Sequence, residues 1–474
     1  MSQFDASRRL RSFNETSWFN RVGLSLSRSL TSSMNCDDAE SVNLIARRFL
    51  KVLPTLILIV QFGWFHNAQP QPLIFDASQY VALSTQWSWW GPFPTLPADG
   101  LRTYAYPVLI SLAGSVSFLL VLQCAGLIAL MWGLRQFCSP KSLVCDAVLS
   151  IVLLTFPILV PYALTVLADL PGVVSLQAGL LLFTWMMFSN GRRRIGLFAL
   201  AGSLLSWSIQ LRPAYAHVVW LPIIAFLWSE SKQLRASGWS VTTFMRRSLP
   251  FVVGVICFLA VALPTIVTQA RENHRLTYLP GDETNRLLGY HLMLGLSLDR
   301  WSSNPPPLEE RHRVEVEWQK RGWAMLPVPP NVTPSIKDFK REVRRHPVTA
   351  AWQFVKHVYY AFSKSELFPY AGRPSLAFMI VIAIMNVIVL SFGTFEAIRR
   401  ALFGSVGRER LFAALQLALM ADLVLTCGLV VPEERFTIAV YPPLVVFATA
   451  AIARVIERKA YPLGLTTIPG NPKV

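Results

Sequence analysis

Three arginines and two aspartates carry the chemistry most readily read from this chain. Arg102, Arg212 and Arg435 lie in short links between long apolar runs, as do Asp76 and Asp169. A guanidinium grips phosphate oxygens in pairs and offsets charge that develops on them, while a nearby carboxylate can accept a proton. Plainer readings stand beside these. An Arg at the end of a span anchors it among lipid headgroups, and Asp76 can be the N-cap of a helix over residues 76–88 that stacks Tyr80, Ser84 and Trp87 on one face.

The elements that position these residues follow from composition. Of 474 residues, 53% are hydrophobic and only 15% charged, against about 25% charged in an average soluble chain. This depletion places the chain among membrane proteins and excludes a disordered or disulfide-knit secreted one. The net charge of +17 would suggest nucleic acid in a soluble protein; here it reflects topology, and no nucleic-acid partner is expected.

Apolar runs long enough to cross a hydrocarbon core of about 30 Å occur at about 50–66, 117–135, 145–164, 171–189, 195–211, 214–229, 249–268, 374–395, 411–431 and 438–456. The expected fold is therefore an all-α polytopic membrane protein of about ten transmembrane helices. Residues 105–116 either extend the second span or form a short helix outside it. The expected organisation is a basic tail over 1–49, seven spans over 50–268 with a first outer loop at 67–116, an extracytoplasmic segment over 269–373, three spans over 374–456 and a tail over 457–474.

Basic residues set the orientation, because Lys and Arg are retained in the cytoplasm. With the N-terminus inside, the inner pieces hold 25 of them and the short outer loops only three. Both termini are thus expected in the cytoplasm and the chain in the inner (plasma) membrane, with the first span kept as a signal anchor. Residues 17–26 are basic and amphipathic, suited to an anionic surface, and an unstructured tail is the alternative. None of the six cysteines falls in an expected outer loop, so neither a disulfide framework nor a zinc site is expected.

A resemblance adds to this. The stretches Phe75-Asp76-Ala77-Ser78-Gln79-Tyr80 and Arg102-Thr103-Tyr104-Ala105-Tyr106-Pro107 resemble the first outer loop of GT-C membrane glycosyltransferases, which use polyprenyl-phosphate sugars. Thr165 to Pro171 with Asp169, Ser206 to Pro213 with Arg212, and Glu434-Arg435-Phe436 followed by Tyr441-Pro442-Pro443 resemble further motifs of that class. The branch most resembled contains protein O-mannosyltransferases and lipid A aminoarabinose transferases. Ala105 stands where members often have Gly, and Asp76 lacks the second acid that many carry beside it.

The resemblance implies an inverting transferase that moves one sugar from a lipid-linked donor to a glycan, lipid or protein acceptor outside the membrane. It makes Asp76 the general base and gives Asp169 to acceptor binding or to a divalent metal, the one cofactor it leaves open. Arg102, Tyr80, Tyr106, Arg212, Arg271 and Arg435 would hold donor phosphate and substrate. Arg271 opens the long outer segment, which could cover the site, with amphipathic helices expected over 308–323 and 336–368 lying on the membrane surface. Asp422, well inside the ninth span, is expected to bond Asn386 at similar depth. Two other readings share this topology: a glycolipid transporter or flippase, and a polysaccharide polymerase or ligase.

Overall fold

The computed structural model describes residues 36–68, 77–85, 103–138, 142–189, 191–237, 241–272, 274–279, 288–289, 291–293, 295–296, 335–364, 375–404, 407–430, 432 and 434–460. Among them the chain is helical, with no strand. The helices are α1 (Cys36–Ala68), α2 (Ala77–Thr85), α3 (Ala105–Ala113), α4 (Val116–Cys138), α5 (Leu143–Thr155), α6 (Asp169–Met187), α7 (Gly191–Leu211), α8 (Trp220–Ser237), α9 (Val241–Glu272), α10 (Ile336–Arg345), α11 (Pro347–Phe362), α12 (Leu376–Phe403), α13 (Gly407–Leu429) and α14 (Tyr441–Ala460). Two 3-10 segments, Pro213–Val219 and Glu434–Val440, lead into α8 and α14.

Seven stretches of these helices are long and apolar enough to cross a membrane: those of α4, α6, α7, α9, α12, α13 and α14. The chain is thus a multi-pass, all-α membrane protein. Three expected spans differ. The first apolar run lies inside the longer α1, which starts at Cys36. The run at 214–229 is divided between a 3-10 segment and α8. The run at 145–164 breaks at Phe156-Pro157 into α5 and a single separate helical turn, Val160–Ala163.

The break has a direct chemical cause. Pro157 has no N–H to give the carbonyl of Leu153, which favours a break there, whereas α1 and α9 run through Pro54, Pro250 and Pro264. Gln61 of α1 replaces that donor, its Nε2 lying 2.9 Å from the Leu153 oxygen. The buried stretch that follows is held in the same way, with Gln123 Nε2 of α4 donating to Ala163 O at 3.1 Å and Thr165 O at 3.0 Å. Irregular backbone at membrane depth persists only where protein satisfies its polar groups.

The open question at 105–116 is settled by Gly114, whose φ of 69° ends α3 in a left-handed cap before α4 begins. Residues 336–368, read as one amphipathic stretch, are two helices parted at His346-Pro347; 308–323 lies outside the described residues.

Packing follows the distribution of apolar faces. α14 is apolar around its whole circumference through Leu444 to Ala453 and is buried almost throughout, against α12, α5 and α4. α7 packs between α6 and α9, and approaches α9 so closely at Gly202 and Gly254 that the two backbones touch. Reciprocal amide bonds join Gln177 of α6 to Gln416 of α13 at 2.9 and 3.1 Å, and Gln177 also reaches Ala439 O at 2.6 Å. This ties the second 3-10 segment to α6.

The two ends of the bundle differ chemically. Near the end expected to face the cytoplasm, buried Glu396 accepts hydrogen bonds from Arg399, Arg400 and Arg454 at 2.5 to 2.9 Å, and Arg135 Nε meets Asp146 at 2.6 Å. The opposite end holds the candidate site.

Candidate functional site

Asp169 is the first residue of α6, only 2% exposed, where the positive end of the helix dipole favours its carboxylate. The buried segment after Pro157 delivers it there. Arg212 ends α7 because Pro213 follows: the residue before a proline is pushed to extended backbone, and Arg212 has φ −143° and ψ 96°. Its guanidinium turns back onto Asp169 Oδ1 in a close ion pair. Arg435, in the second 3-10 segment, places Nη1 3.7 Å from Asp169 Oδ2.

Two arginines therefore converge on one buried carboxylate from separate elements. Phe436 backs the arrangement, its ring centroid 5.3 Å from the Arg212 guanidinium carbon. Gly172 in the first turn of α6 faces the same cluster at close range. A Cβ there would stand 3.3 Å from the Tyr215 ring and 3.4 Å from Arg212 Cβ.

The first outer loop contributes from the side. Tyr80 of α2 meets Tyr106 of α3 edge to face at 4.9 Å, and the buried Tyr106 hydroxyl donates to Gln123 Oε1 at 3.2 Å. Since Gln123 also bonds the carbonyls of Ala163 and Thr165, this chain braces the backbone that leads into Asp169. Asp76 and Arg102 lie outside the described residues. Arg271 is exposed in the last turn of α9 and makes no described contact with Asp169, Arg212 or Arg435.

The expected Asp422 to Asn386 bond is not formed. Asn386 Nδ2 donates to Phe362 O at 2.7 Å, and its Oδ1 accepts from the Tyr441 hydroxyl at 2.8 Å. Asp422 Oδ2 instead lies 2.6 Å from Nε2 of His217, whose side chain is 37% exposed. Equal depth did not mean facing surfaces: α13 turns Asp422 toward the first 3-10 segment.

Sequence reasoning also passed over Lys364. It is buried, its Nζ donates to Ala361 O at 3.0 Å and lies 5.5 Å from the centre of the Tyr441 ring. Its place in a polar segment masked this. Among the described residues no three His, Cys, Asp or Glu side chains gather as a metal centre.

An apolar cavity of about 250 Å³ lies between α6, α7, α8 and α9, lined by residues including Phe183, Leu205, Ile223, Phe251, Phe258 and Tyr278. Gln210, two residues before Arg212 in sequence, donates its Nε2 to the carbonyl of the lining residue Tyr278 at 3.0 Å. No protein-family model, curated protein or solved structure matches the chain.

Proposed function

We propose that the chain is an inverting membrane glycosyltransferase, moving one sugar from a polyprenyl-phosphate donor to an acceptor at the membrane face that carries Asp169. The observation that carries this reading is the convergence of Arg212 and Arg435 on buried Asp169. Two guanidiniums held by a shared carboxylate are oriented before substrate arrives, and a diester phosphate entering beside them meets preformed donors.

In the reaction the acceptor oxygen bonds the anomeric carbon from the face opposite the phosphate. The carbon–oxygen bond to phosphate breaks, and its electron pair stays on the phosphate oxygen, where the arginines offset the new charge. Asp76 takes the acceptor proton. Asp169 spends its charge on Arg212 and Arg435 and so positions them. The apolar cavity beside Gln210 offers room for part of a lipid chain.

The test uses purified protein in nanodiscs with polyprenyl-phosphate sugars, product mass being read by mass spectrometry. Arg212→Ala and Arg435→Ala are expected to lower transfer by about 10²–10³, and Asp76→Asn by a comparable factor. Transfer by these variants at the wild-type rate would refute the assignment.

One observation favours a second reading, a proton-linked transporter of a lipid phosphate: the His217–Asp422 pair within the membrane layer. In sealed vesicles, movement of intact donor across the bilayer with no change in its mass would support that reading against the transferase.

A further inference from the structure

The last two carbonyls of α11 are capped by side chains. Ala361 O accepts from Thr437 Oγ1 at 2.7 Å and from Lys364 Nζ at 3.0 Å. Phe362 O accepts from Asn386 Nδ2 at 2.7 Å and from the Tyr441 hydroxyl at 3.0 Å. A helix ending in water leaves such carbonyls to solvent; four protein donors on two carbonyls suit an end buried in an apolar layer. The Lys364 ammonium also sits at the negative end of the α11 dipole.

The donors fix the depth of this end. Asn386 is ten residues along α12 from Leu376, about 15 Å at 1.5 Å per residue. Tyr441 is six residues inside the apolar span that starts at Arg435. Both donors belong to apolar spans, so the end of α11 lies inside the apolar layer and not in the aqueous phase beyond it.

The faces of α11 differ sharply. Gln353, His357 and Ala361, at helical spacing, are buried, with His357 Nδ1 3.1 Å from Gly428 O near the end of α13. On the other side Val348, Trp352, Val355 and Tyr359, spaced four, three and four, are 82%, 60%, 54% and 65% exposed. At its N-terminal end α10 presents exposed Lys337, Lys340, Arg344 and Arg345.

We propose that α11 is a re-entrant helix of the leaflet nearest Asp169, entering from the α10 side and ending inside the bundle. Its exposed stripe contacts acyl chains, and the basic residues of α10 contact anionic headgroups at the surface. Part of the segment read as wholly extracytoplasmic thereby belongs to the membrane layer. The partner is the lipid itself, independent of what the site transforms.

The experiment places p-benzoylphenylalanine at Val355, Tyr359 or Lys340 of the full chain, in nanodiscs of phosphatidylethanolamine and phosphatidylglycerol. Adducts formed on irradiation are identified by mass spectrometry. Acyl-chain adducts at Val355 and Tyr359 at least about tenfold above those at Lys340 are expected. Lipid adducts at Lys340 should be enriched in phosphatidylglycerol over the bulk ratio. Adducts at Val355 and Tyr359 to peptides of the same chain would overturn the proposal, because protein would then cover the stripe. Acyl-chain yields there no higher than at Lys340 would also overturn it, and a bulk lipid ratio at Lys340 would overturn its headgroup half. These positions are exposed, so correctly folded protein is expected, checked by monodisperse elution.

Discussion

His217 and Asp422 form a contact that joins the first 3-10 segment to the middle of α13, with Nε2 and Oδ2 2.6 Å apart. Thr426, one turn further along α13, lies 3.5 Å from the same nitrogen. Groups this polar are costly at membrane depth unless paired. A double-mutant cycle of His217→Gln and Asp422→Asn, read by unfolding in mixed detergent, should give a coupling of about 0.5–2 kcal/mol. Strict additivity would show that the two side chains do not interact.

Asp169 neutralisation should be far more damaging than loss of an exposed acid. Its pair with Arg212 is nearly closed to solvent, the two side chains being 3% and 12% exposed. Asp169→Asn should cost about 3–5 kcal/mol by leaving a guanidinium buried against a neutral amide. Part of the loss should return in the Asp169→Asn/Arg212→Met double variant, measured by the same unfolding assay. No recovery would mean that Arg212 is stabilised by other partners.

Two glycines in different spans, Gly202 of α7 and Gly133 of α4, should respond differently to alanine. At Gly202 a Cβ would overlap the backbone oxygen of Gly254, whereas at Gly133 nothing lies within 4 Å. Gly202→Ala should force α7 from α9 at a cost of about 1–3 kcal/mol. Gly133→Ala should be neutral or slightly stabilising, since alanine is the better helix former. Thermal midpoints of the purified variants decide the comparison.

The N-terminus of α10 should be acid-sensitive. Ser335 and Asp338 form a capping box, and hydrogen bonds from the Ser335 hydroxyl and backbone, helped by Arg341, hold the Asp338 carboxyl below its usual range. A depressed pKa means that the contribution is fully present above the unfolded value, about 3.9, and is lost as pH falls through the lower folded value. Amide exchange at residues 335–339, corrected for intrinsic rates, should show local opening below about pH 4. Asp338→Asn should remove that dependence.

The sequence alone determined the class of the molecule and much of its segmentation. Long apolar runs admit few environments, so α4, α6, α7, α9, α12, α13 and α14 fall where the pattern put them. Pro213 and Pro157 act through covalent structure and are local by nature, yet only Pro213 falls between two of the apolar runs read from the sequence. The break at Pro157 hid inside an apolar run because hydropathy does not register a missing N–H.

What the tertiary structure decided was direction. Sequence distance cannot say which way a helix is turned about its axis. Asp422 and Asn386 match in depth but face different neighbours, His217 in one case and Tyr441 in the other. Tertiary packing of the segments that follow α7 and precede α14 likewise brings Arg212 and Arg435 onto one carboxylate from positions more than two hundred residues apart. It also turns the end of α11 inward, where three side-chain donors from other elements, Asn386, Thr437 and Tyr441, join the nearby Lys364 on its last carbonyls.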